Sequence, residues 1–85
     1  MGLLEDLADK LAADTLDAME ALDNDRLYID VGKVLGTSSP TMQETFLTSI
    51  RIRLAERRGR RYLEATVAAL QAGAPAPKAP RDSGL

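Results

Sequence analysis

Leu4, Leu7, Ala8, Leu11, Thr15, Ala18, Met19 and Leu22 recur at three- and four-residue spacing, while Asp6, Asp9, Lys10, Asp17 and Glu20 take the other side. This rhythm follows the turn of an α-helix, so the first stretch must form an amphipathic helix and bury one face. Leucine and alanine favour the helix, neither proline nor internal glycine interrupts it, and Glu5 and Asp6 complement the dipole in its first turn. A chain of 85 residues forms one domain with a thin core. It contains no cysteine and no histidine, so neither a disulfide nor a zinc site reinforces that core. Apolar contact with a second copy would do so, and a homodimer is expected.

Further along, Asp23, Asn24 and Asp25 supply stop and N-cap chemistry, and Leu27, Ile29, Val31, Val34 and Leu35 mark a second helix of about ten residues. A strand from Leu27 to Val31 is the alternative, given the β-branched content. Gly36 suits the left-handed position that closes such a helix. Ser39 and Pro40 read as the N-cap and first residue of a third helix, with Met42, Phe46, Ile50 and Leu54 facing inward. Arg53, Arg57, Arg60 and Arg61 then continue on nearly the same face. Arginines cannot be buried there unpaired, so the chain is expected to bend near Gly59, leave the core, or meet anions. Leu63, Thr66, Val67 and Leu70, with Ala65, Ala68 and Ala69, favour a fourth helix. The competing reading is a β-wing, with Ile50, Ile52 and Leu54 alternating, a turn over 57–60, and a return strand from Tyr62 to Val67. After Gly73 the Pro/Ala-rich residues 74–85 have no periodic apolar face and read as a disordered tail. The expected fold is therefore all-α: three or four short helices in a small bundle over 1–73, followed by the tail.

Several function classes lack their chemistry. Without histidine or cysteine, the commonest general base and the strongest common nucleophile are missing, and an enzyme is not expected. Asp6 with Asp9, and Asp14 with Asp17, pair carboxylates only on the polar flank of a helix. The acidic loop Asp23 to Asp25 lacks EF-hand spacing, and neither Gly32 nor Gly36 opens a phosphate-binding loop. No metal or cofactor is expected. No basic start with an apolar run marks a signal peptide, and no stretch is long enough to cross a bilayer, so a cytoplasmic protein without a membrane partner is expected.

Charge is distributed unevenly despite a net value of −2. Residues 1–30 carry nine acidic side chains against Lys10 and Arg26, whereas the remainder carries nine basic against four acidic. Six of those basic side chains are arginines lying between Arg51 and Arg61. Such segregation points to a polyanion-binding surface, or to two halves that attract each other.

From Tyr28 to Leu47, the spacing of Val31, Gly32, Leu35, Gly36, Thr37, Met42 and Phe46 resembles the helix-turn-helix DNA-binding superfamily. The resemblance covers about a quarter of the chain and implies a regulator that binds duplex DNA as a dimer. The third helix would then be the recognition helix, with Pro40, Gln43, Glu44, Leu47, Arg51 and Arg58 on its outward flank. Gln43 would pair with adenine; Ser38, Ser39 and Thr41 would contact phosphate or bases; Leu47 would lie in the groove. Arg51, Arg53, Arg57, Arg58, Arg60 and Arg61 would anchor the phosphates. The rival reading is a helical adaptor or inhibitor that uses an amphipathic helix, or the arginine cluster, against an acidic protein partner. Ile52, Leu47 and Leu16, read as exposed, would serve a helix-mediated subunit contact.

Overall fold

A computed structural model describes residues 2–79. They form three α-helices, α1 (Leu3–Leu22), α2 (Leu27–Ser38) and α3 (Pro40–Gln71), with no strand among the described residues. The all-α expectation holds, and the strand over Leu27 to Val31 and the β-wing are both replaced by helix. The chain divides between Leu54 and Ala55 into two compact units, so the boundary falls inside α3.

In the first unit the core is built on a line of small residues. Ala8, Ala12 and Leu16 succeed one another at four-residue spacing along α1 and are buried together with Phe46 and Ile50 of α3. Alanine at two of these positions lets the helix backbones approach, and the rings and branches of Phe46 and Ile50 fill the space. Leu11, Met19, Tyr28, Val31, Leu35, Met42, Leu47 and Leu54 pack around them, partly buried. Thr15 is also buried, its hydroxyl donating to the Leu11 carbonyl at 2.7 Å, so burial leaves no unmet donor.

This corrects the expected inward stripe. Leu16, read as exposed, is 2% exposed, whereas Leu7 and Leu22 are 50% and 69% exposed. Both lines satisfy helical periodicity, and the close approach allowed by the alanines decides which is buried.

Helix ends are closed by backbone geometry more than by side chains. Asp23 adopts the left-handed conformation (φ 52°), its N–H donates to Glu20 and that of Asn24 to Met19. Gly73 does the same for α3 at φ 75°, with N–H groups of Gly73 and Ala74 donating to Leu70 and Ala69. Both are 6→1 and 5→2 closures, which satisfy carbonyls the helix leaves unpaired. The Asn24 side chain accepts from the Arg26 N–H and turns the chain into α2.

Gly36 does not close α2. The helix runs on to Ser38, the only positive-φ glycine among the described residues is Gly73, and the chain turns at Ser39 in extended conformation (φ −153°, ψ 98°). One residue therefore separates α2 from α3. Gly36 is needed for room, as the site below shows.

α3 is a single helix of 32 residues, neither short nor broken at Gly59. The expected fourth helix is its continuation. In the second unit, Arg60 pairs with Glu56 one turn back, bridging Gly59 along the helix surface. Glycine in a helix interior costs about 1 kcal/mol relative to alanine, and a Cβ at Gly59 would meet nothing within 4 Å among the described residues. Beyond Gly73, residues 74–79 have no regular structure. They are nevertheless engaged: the Tyr62 hydroxyl donates to the Pro77 carbonyl at 2.8 Å. The rest of the expected tail, 80–85, lies outside the described residues.

A core this small makes each member costly to lose. Leu16→Ala should destabilise the chain by about 2–5 kcal/mol, read as a lower urea midpoint, because it removes one of the three largest fully buried or nearly buried side chains of a small core and leaves a cavity. A loss well under 1 kcal/mol would contradict the burial of Leu16.

Candidate functional site

Each residue expected to read DNA has a definite place, and several are already occupied. Ser39 is the N-cap of α3: its hydroxyl accepts the Met42 N–H at 3.1 Å. Pro40 occupies the first helical position, where its missing N–H costs no hydrogen bond. Gln43 does not face outward. A Cβ at Gly36 would lie 2.9 Å from the Gln43 Cδ, Nε2 and Oε1 atoms, so the amide group lies over the glycine of α2. Leu47 does not face outward either, since a Cβ at Gly32 would lie 3.4 Å from its Cδ2, and it packs against the core. Gly32 itself is buried. The flank expected to enter a groove is thus partly spent on helix–helix packing. The two glycines of α2 make that packing possible, by admitting the Gln43 and Leu47 side chains.

Ser38 and Thr41 remain exposed at the α2–α3 junction. The Thr41 carbonyl accepts from Thr45 within the helix.

The arginines divide into engaged and open groups. In the first unit, Arg53 donates through Nε and Nη2 to Asp9 Oδ1 at 3.2 and 2.8 Å, and the Ser49 hydroxyl donates to the same oxygen at 2.7 Å. Arg53 Nε also reaches the Ser49 oxygen at 3.3 Å. This knot ties α1 to α3 and was not legible as a site, because Asp9 sits among exposed carboxylates. Its sequence traces are the Ser49 and Arg53 spacing of one turn and the segregation of an acidic first half from an arginine-rich second, which leave the partner of Arg53 undetermined. The Ser49 hydroxyl first, and Arg53 next, hold the Asp9 carboxyl below its ordinary value of 3.8. Arg51, by contrast, is exposed and has no partner among the described residues.

In the second unit, Arg60 is bound to Glu56, which raises the guanidinium above its ordinary value. Arg57 is partly buried and also engaged. Arg58 and Arg61, three residues apart and therefore on one face, are exposed without a partner among the described residues. Tyr62, next to the arginines, is held by Pro77. Leu63, Val67 and Leu70 are 56%, 44% and 61% exposed, an apolar stripe on another side of the same helix. Their exposure could not be read from spacing, which reports that a stripe exists and not whether anything covers it.

Among the described residues, no three or more acidic side chains gather as metal ligands. No helix there is long and apolar enough to cross a membrane. Compared with protein-family models, with curated proteins and with solved structures, the chain shows no significant match.

Two results should follow from this geometry. Asp9 contributes stability that is fully present above its unfolded pKa and is lost as pH falls through the depressed folded value, that is, below about pH 4. In Ser49→Ala, the Asp9 carboxyl, followed by NMR titration, should move back toward its ordinary value; an unchanged midpoint would remove Ser49 from the knot. Ser39→Ala should cost about 1 kcal/mol in thermal melts through loss of the cap, even with no nucleic acid present.

Proposed function

We propose that this chain is a non-enzymatic helical binding protein that docks an acidic protein partner on the arginine face of α3 within the second unit. The observation that carries this reading is the pair Arg58 and Arg61, exposed on one face with no partner among the described residues, while the neighbouring Arg60 and Arg57 are engaged. Two guanidiniums at one-turn spacing offer planar, forked donors that match carboxylates on a facing helix. The apolar stems of these side chains add contact area without burying the charge.

The helix-turn-helix regulator stands as a second reading, favoured by exposed Ser38 and Thr41 near the start of α3 and by the open Arg51. It has lost two supports, because Gln43 and Leu47 are packed over Gly36 and Gly32. Its remaining contacts suit phosphate better than bases. The acidic first thirty residues also oppose association with a polyanion.

Fluorescence anisotropy across a salt series separates the readings. A labelled glutamate-rich peptide should bind at low salt, and Arg58→Glu with Arg61→Glu should abolish that binding while circular dichroism shows unchanged helix content. Mixed-sequence duplex DNA should bind weakly and without dependence on Gln43. Steeply salt-dependent DNA binding that is lost in Arg51→Ala, with no peptide binding, would replace the first reading by the second.

A further inference from the structure

We infer that the exposed stripe on the distal part of α3 is the interface for a second copy of this chain, paired antiparallel. The stripe runs Gly59, Leu63, Thr66, Leu70, at alternating four- and three-residue spacing, with Val67 at its edge. This is the seam spacing of two-stranded helix pairing, in which side chains of one helix enter gaps of the other. It lies away from the Arg58 and Arg61 face and does not depend on the docking proposed there.

Three observations identify the occupant. The first is Gly59. It lies within a helix, takes no left-handed conformation, and has open space among the described residues where a Cβ would be, so none of them explains a destabilising glycine there. Close approach of another helix does explain it. The second is Thr66, whose hydroxyl oxygen is shielded from solvent and has no hydrogen-bond partner among the described residues. Covering this part of the stripe with a leucine therefore removes no water-bound polar group.

The third observation is charge. Glu56, Arg57, Arg58, Arg60, Arg61 and Glu64 crowd the first part of the segment, and residues 65–71 carry no charge. A parallel pair would set the arginines of one copy level with those of the other, which is repulsive. An antiparallel pair sets each arginine-dense end beside the other copy's uncharged end. One register then brings Leu70 of each copy over Gly59 of the other, and Leu63 of each over Thr66 of the other. The interface is self-complementary, as a two-fold dimer requires.

The chain has no cysteine, so engineered thiols report geometry directly. Full-length Gly59→Cys and Leu70→Cys proteins, mixed and oxidised, should yield a disulfide-linked heterodimer, with little product from either variant alone. Homodimers from each variant alone would show parallel pairing and overturn the proposal. So would sedimentation equilibrium of the unmodified chain that gives a monomer at every concentration reached. Gly59→Ala should raise helix content yet weaken the dimer by about tenfold, because the added methyl fills the gap that Leu70 of the second copy enters. An equal or tighter dimer in that variant would remove Gly59 from the interface.

Discussion

The first unit depends on how closely α1 and α3 can approach. Ala8 and Ala12 contribute almost no volume of their own, but they let Phe46 and Ile50 reach complete burial. Leu16 then follows on the same line. Everything nearby adjusts to this contact: Thr15 satisfies its hydroxyl within α1, and Asp9 is brought to Ser49 and Arg53 at the edge. The knot is solvent-exposed, so it adds little stability compared with the core beside it. A larger residue at either alanine would push the helices apart and disturb both the core and the knot.

A similar economy governs α2 and α3. Gly32 and Gly36 are small so that Leu47 and Gln43 can lie across them, and a single extended residue, Ser39, then suffices to reverse the chain. The same glycine spacing is what suggested a helix-turn-helix. Spacing reports that two helices come close, and close approach serves a recognition motif and a plain helical corner equally well.

The sequence was most legible where local chemistry decides the outcome. Helical periodicity located α1, the Ser39 and Pro40 pair located the start of α3, and the Pro/Ala-rich run after Gly73 marked where helix stops. It was least legible where one residue supports two roles. Gly36 was read for its backbone freedom and is used for space. Leu16 and Leu22 both fit the helical period, and only the partner helix distinguishes them. A bend near Gly59 was one of three outcomes open to the arginine face, yet a helix can pass through a glycine when the flanking alanine, glutamate and arginine residues all favour continuation. Asp9 looked like any solvated carboxylate because its partners lie 40 and 44 residues away.

Two kinds of surface result from this arrangement. In the first unit Phe46 and Ile50 of α3 enter a core, with Met42, Leu47 and Leu54 packed against it and Ile52 left exposed, and in the second Leu63, Val67 and Leu70 remain in water. The central claim is that these distal residues gain their cover from another molecule. Amide hydrogen exchange at several protein concentrations tests it most directly. Amides from Leu63 to Leu70 should become more protected as concentration rises, while those at Phe46 and Ile50 keep the same protection throughout. Equal protection of both segments at every concentration, with no gain on self-association or on adding an acidic peptide, would contradict the account.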